Sequence, residues 1–88
     1  MDEAQLEQNN PNPFSKQSVI EFYVPAKFHS AQLVVADMKG VPIKIFDINT
    51  AGTQQVIIHA NEFAAGSYFY SLFLDGAKVA TKKMELTK

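Results

Sequence analysis

The chain has 88 residues, of which 47% are apolar and 11% aromatic, and its formal net charge at pH 7 is −1. This composition indicates one globular domain and excludes a disordered tail, and no stretch approaches the roughly 18 apolar residues that a spanning helix needs. The small net charge and the absence of arginine disfavour nucleic acid as a partner, and the absence of cysteine excludes disulfides and zinc-thiolate sites.

Residues 1–10 are polar and poorly patterned, which predicts a linker or frayed lead-in before a single domain over residues 11–88. The segment Met1 to Gln5 is acidic and lacks the apolar run of a secretory leader. The expectation is therefore either a cytoplasmic protein or a piece of a longer exported chain. Pro11-Asn12-Pro13 then fixes an extended or turn backbone.

Short runs of alternating apolar residues follow, separated by glycine-containing turns. Asp37 to Gly40 has the residues of a type I turn, and Asp75-Gly76 is a strong hairpin signal. Pro42 marks its strand as an edge or an irregular start, and Phe63 is expected to enter the core from a connection. The predicted strands cover residues 18–24, 31–37, 41–46, 53–60, 67–74 and 78–86. Six or seven antiparallel strands of this length predict an all-β sandwich.

The titratable residues form no pattern that a catalytic or metal site requires. His29 and His59 are far apart in the sequence, and neither has a second ligand at metal-binding spacing. Asp37 and Asp47 both adjoin turns, where aspartate commonly accepts hydrogen bonds from the local backbone. The sequence therefore predicts no catalysis, no cofactor and no metal.

Lysines are concentrated at the end of the chain, where Lys78, Lys82, Lys83 and Lys88 supply four of the eight. Lysine on an edge strand discourages pairing with other chains, so one interpretation is a solvated, protected edge. The other interpretation is a positively charged contact surface.

Alternation in the run from residue 67 to residue 74 places Tyr68, Tyr70 and Leu72 inward and Phe69 and Phe73 outward. Tyr23 and Val34 are expected to join the outward group. Such an apolar outer patch indicates either a docking surface or a face covered by the N-terminal segment.

Several short motifs occur in a defined order along the chain. They are Leu6-Glu7-Gln8-Asn9, Pro11-Asn12-Pro13-Phe14, Ile20 to Pro25, Leu33 to Asp37 with Gly40, Ala51-Gly52-Thr53, Gly66 to Tyr70, and Thr81-Lys82-Lys83-Met84 with Leu86 and Lys88. In order, spacing and terminal position the chain resembles the C-terminal sorting domain of proteins exported by the type IX secretion system of Bacteroidetes. Ala36, Ile58 and His59 depart from the residues frequent in that family, on strand faces and at one strand end.

The resemblance implies a non-catalytic, cofactor-free, immunoglobulin-like antiparallel β-sandwich of about seven strands. It implies three partners: an upstream cargo domain in the same chain, the type IX translocon and a sortase-like peptidase. The implied route runs through the periplasm to the outer-membrane surface or the medium, with removal of the domain after export.

We expect the translocon to contact the last strand, an unpaired and positively charged edge, because strand addition is a recurrent recognition mode. Gly66-Ser67-Tyr68, at the start of the strand before the last, is expected to contribute to this contact. Pro11 to Phe14 are expected mainly to hold the start of the domain in place. The expected recognition residues are Pro11, Asn12, Pro13, Phe14, Gly66, Tyr68, Lys82, Lys83, Met84, Leu86 and Lys88.

Two alternatives stay open on the residues alone. An adhesive or carbohydrate-binding module would use Tyr23, Phe69 and Phe73 as stacking platforms. An exposed strand edge also allows the isolated fragment to form a homodimer.

Overall fold

The computed structural model describes residues 3–88, and these residues form seven β-strands and one short 3-10 turn. The strands are β1 (Gln5–Leu6), β2 (Gln17–Val24), β3 (Ala31–Ala36), β4 (Pro42–Ile48), β5 (Gly52–His59), β6 (Gly66–Leu74) and β7 (Ala77–Leu86), and the 3-10 turn is Ala60–Glu62. In residues 3–88 no helix has the length and apolar character to cross a membrane.

The strands form two antiparallel sheets that pack face to face. One sheet has three strands in the order β1-β2-β5, and the other has four in the order β4-β3-β6-β7. This arrangement confirms the predicted antiparallel β-sandwich and is consistent with the immunoglobulin-like type. It also confirms that the strand beginning at Pro42 lies at an edge, where a missing N–H removes no ladder bond.

The core consists of the side chains that alternate inward on each strand, as the sequence pattern predicts. On β2 and β3 these include Ile20, Val24, Leu33 and Val35, none of which is exposed to solvent. Phe63 is buried from the connection after the 3-10 turn, so that prediction is confirmed.

Both predicted turns form. The Asp37 carboxylate accepts the backbone N–H groups of Lys39 and Val41, each at 2.9 Å, which confirms a local structural role for this residue. Asp75 and Gly76 connect β6 to β7 with φ values of 52° and 83°. Positive φ at both positions is the backbone of a type I′ hairpin turn, which asparagine, aspartate and glycine tolerate best.

The predicted lead-in is built into the sandwich. Its first two residues lie outside the described part of the chain, but Gln5 and Leu6 pair with Tyr23 and Phe22 of β2. Leu6 and Asn9 are both buried. The frayed lead-in is therefore wrong for residues 5–10, because one apolar and one hydrogen-bonding side chain hold this polar stretch against the core.

Candidate recognition surface at the last strand

Residues 8–14, here called the N-terminal segment, run along the outer edge of β7. The Phe14 N–H donates to the Glu85 carbonyl at 3.0 Å, and the Phe14 carbonyl accepts the Thr87 N–H at 2.8 Å. These bonds form a short parallel bridge between Phe14 and Leu86. The Asn12 side-chain oxygen accepts the Glu85 N–H at 2.9 Å, so residues 73 positions apart are joined directly.

A buried polar cluster holds the other end of the N-terminal segment. The Asn9 N–H donates to the Tyr70 hydroxyl at 2.7 Å, and that hydroxyl donates to the Glu7 carbonyl at 2.8 Å. The Asn9 amide donates to the Ser18 hydroxyl at 2.9 Å, which in turn donates to the Pro11 carbonyl at 2.8 Å. Burial raises the pKa of the Tyr70 phenol to about 12, because removing water disfavours the phenolate.

This cluster is the part of the site that sequence reasoning missed. Ser18 offered one signal, since it is a polar residue at a position that alternates with Ile20 and Phe22 on the inward face of β2. For Asn9 the sequence gives no signal of burial, because its hydrogen-bond partner Tyr70 lies 61 residues away.

The start of β6 and the end of the chain meet beside the N-terminal segment. Gly66 and Tyr68 pair with Leu86 and Met84 in the β6–β7 ladder. The Tyr68 ring packs edge-on against Phe63 with ring centres 5.4 Å apart. The Lys88 ammonium donates to the Phe63 carbonyl, which holds the chain end over this contact.

The predicted recognition residues therefore lie near one another, but they divide into two groups by burial. Phe14, Tyr68, Met84 and Leu86 are at most 6% exposed, so in the folded domain they are core residues and a partner has no access to them. The residues with accessible surface are Pro11, Asn12, Pro13, Gly66, Lys82, Lys83 and Lys88.

The expectation of an unpaired edge is wrong for the second half of β7. The N-terminal segment occupies it from Lys83, whose carbonyl accepts the Gln8 side-chain amide at 2.7 Å, to Thr87. In the first half, Val79 is an extra residue between Lys78 and Ala80, which pair with Phe73 and Leu72. Such a bulge bends an edge strand away from regular pairing.

The lysines of β7 point in different directions. Lys82 lies opposite Tyr70, so it is on the inward side of the edge and is half-buried, whereas Lys83 lies opposite Phe69 on the outer side. The Lys83 ammonium is 3.5 Å from the Glu85 carboxylate. A hydrogen bond from Ser67 and the nearby Lys83 charge lower the pKa of Glu85.

The expected outward aromatic patch is only partly assembled. Phe69, Phe73 and Val34 share the outer face of the four-stranded sheet, and the N-terminal segment does not cover them. Tyr23 belongs to β2 in the other sheet, so it does not join them. A continuous row of three stacking rings, which the carbohydrate-binding alternative needs, is not present.

Among residues 3–88 no three potential ligands from histidine, cysteine, aspartate and glutamate come together. The short contact between the Lys44 ammonium and the Glu62 carboxylate is an exposed ion pair, which lowers the pKa of Glu62.

Comparison with known proteins identifies the family to which this arrangement belongs. The chain matches the family model of the secretion system C-terminal sorting domain over residues 10–86. No curated protein matches. Among solved structures, the fold is similar to part of the alkylpurine DNA glycosylase AlkC of Pseudomonas fluorescens, solved bound to DNA containing an abasic site analogue, with a TM-score of 0.53 and 12% identity. That match covers 99% of this chain and 31% of the glycosylase, and at this identity it shows the fold alone. The chain belongs to the family of secretion system C-terminal sorting domains, which are sorting signals of the type IX system.

Proposed function

We propose that this domain directs an upstream cargo in the same chain through the type IX translocon, from the periplasm across the outer membrane to the cell surface or the medium. A sortase-like peptidase then removes it, and the domain itself catalyses nothing. The observation that carries this proposal is the junction of Asn12 and Phe14 with Glu85 and Thr87. It places both ends of the family's sequence pattern on one surface.

The accessible side chains at this junction are the ones we assign to the translocon contact. Pro13 on the N-terminal segment provides a rigid backbone beside three ammonium groups, those of Lys82 and Lys83 on the last strand and of Lys88 just after it. Because β7 is already hydrogen-bonded from Lys83 to Thr87, the partner contacts side chains there instead of adding a strand. This revises the strand-addition hypothesis.

The test is secretion of a reporter fused upstream of the 88 residues in a type IX host. In the tail variant, Lys82, Lys83 and Lys88 are replaced by alanine. If each lost charge weakens the contact by about 0.5 kcal/mol, export falls by roughly tenfold. Buried residues are left intact, so the melting temperature of the domain should change little.

The matched control replaces Lys16, Lys27 and Lys39, which are exposed elsewhere, and therefore removes the same charge. Export of the control should equal that of the parent. If the tail variant is folded and is exported as efficiently as the control, the proposed lysine contact is wrong. If the reporter with the unchanged domain is not exported at all, the sorting function itself is wrong for this chain.

A further inference from the structure

The outer face of the four-stranded sheet, formed by outward side chains of β3, β4, β6 and β7, has an ordered chemical pattern. Three rows cross it from β7 to β4, because residues opposite one another on neighbouring strands share a face. The strand register gives these rows as Lys78-Phe73-Gln32-Asp47, Thr81-Ser71-Val34-Ile45 and Lys83-Phe69-Ala36-Pro42.

The contacts of the first row support this register. The Lys78 ammonium is 5.9 Å from the centre of the Phe73 ring, and the Gln32 amide donates to the Asp47 carboxylate at 3.3 Å. The face therefore has an ammonium on its β7 margin and a carboxylate on its β4 margin. Neither group has a salt-bridge partner of opposite charge among residues 3–88.

The middle of the face is apolar and concave. Ile45 is 52% exposed, and a depression of about 360 Å³ lies between the rings of Phe69 and Phe73, with Val34, Ser71 and Thr81 in its lining. The Phe69 ring on β6 is next to the small side chain of Ala36 on β3, which also lines the depression. Two such faces can interdigitate where the Phe69 ring of one copy meets the space beside Ala36 of the other.

A two-fold axis parallel to the strands makes two copies of this face complementary. It places β7 of one copy over β4 of the second, and each row of one copy then faces the same row of the other. Lys78 then lies over Asp47 of the second copy, Ser71 over Val34, and Phe69 over Ala36. An axis across the strands instead places Lys78 over Lys83, and like charges oppose that arrangement.

We infer that this outer face associates with the same face of a second copy of the chain, in the orientation that pairs Lys78 with Asp47. The inference is independent of the proposed function. It is compatible with an attached cargo, because the chain enters the domain at β1 in the opposite sheet. The strand spacings give a face of roughly 400 Å² per copy, which makes a small interface and a weak, reversible dimer.

The experiment is sedimentation equilibrium of the 88-residue chain from about 10 μM to about 1 mM, the range in which weak dimers dissociate. The weight-average mass should rise from 9.8 kDa toward twice that value. Lys78→Glu and Asp47→Lys should each raise the dissociation constant by at least about tenfold, because each turns two attractive pairs into repulsive ones.

The double variant Lys78→Glu with Asp47→Lys provides the decisive comparison. It restores opposite charges in the proposed pair, so its dissociation constant should return to within about threefold of the parent's. Lys27→Glu, an exposed change away from this face, controls for net charge and should have no effect. A chain that stays monomeric throughout the range overturns the inference. A dimer that the double variant fails to restore overturns the orientation on which it depends.

Discussion

Tyr70→Phe removes one oxygen atom from the cluster that holds the N-terminal segment. The expected loss of unfolding free energy follows from the two hydrogen bonds that this oxygen makes. The Asn9 N–H loses its acceptor in a residue that is 3% exposed, whereas the Glu7 carbonyl belongs to an exposed residue and can bind water. Leaving one buried donor unsatisfied costs about 1–3 kcal/mol. For a domain of this size, a loss of about 2 kcal/mol lowers the melting temperature by roughly 8–16 °C.

The same substitution should change the dependence of stability on alkaline pH. In the wild type, folding raises the pKa of Tyr70 from 10.0 to about 12, so the folded state holds the proton more tightly than the unfolded state. The resulting stabilisation is complete below pH 10 and is lost as the pH rises through 12. Two pKa units correspond to about 2.7 kcal/mol, and Tyr70→Phe has no such contribution.

The assay is urea unfolding of both proteins at pH 7, 10, 11 and 12. The difference in unfolding free energy between wild type and variant should be about 2 kcal/mol at pH 7 and should disappear toward pH 12. Lysines and the other tyrosines titrate in both proteins, so their effects cancel in this difference. Two curves that stay parallel from pH 7 to pH 12 would refute the proposed burial and bonding of the Tyr70 hydroxyl.

Two further predictions concern residues that lie between the strands, Phe14 and Asp75. Phe14→Ala removes a ring that is 2% exposed and should lower the unfolding free energy by about 3–5 kcal/mol, a large share of the 5–15 kcal/mol of a small domain, as measured by urea unfolding. The Asp75 carboxylate accepts the backbone N–H groups of Ser30 and His29, and these hydrogen bonds lower the pKa of Asp75. The ionised carboxylate therefore stabilises the fold at neutral pH, and this stabilisation is lost as the pH falls through the folded-state pKa. Asp75→Asn should therefore flatten the acid side of a plot of melting temperature against pH, and an unchanged acid slope would contradict this role.

The strands are predictable from the sequence because the pattern that indicates each strand lies within that strand and its turns. Alternation on β2, β3 and β6 is local, and the turns at Asp37 and Asp75 have residues whose backbone preferences are intrinsic. The class of fold follows from counting such segments. The side of the sandwich to which Tyr23 belongs does not follow, because it depends on the strand order of the two sheets.

The order of the predicted lead-in does not follow from the sequence, for a related reason. β1 has two residues, too few to show alternation, and Leu6 is the only large apolar side chain in the predicted lead-in apart from Met1. The burial of Asn9 depends on Tyr70, 61 residues away in the sequence, and on Ser18, 9 residues away in β2. Pairings of this kind are set by tertiary structure, and local propensity does not predict them.

The junction of the two chain ends also decides when the proposed recognition surface exists. The Asn12 side chain and the Phe14 backbone are hydrogen-bonded to the backbone of Glu85 and Thr87, and these bonds require the complete sandwich between them. In an unfolded chain, Pro13 and Lys88 are separated by a long flexible loop, and no fixed distance relates them. A partner that contacts both residues at once therefore binds only the folded domain. On the proposed function, recognition is thereby conditional on folding, because the chemical groups at both ends become one surface only when the intervening strands have packed.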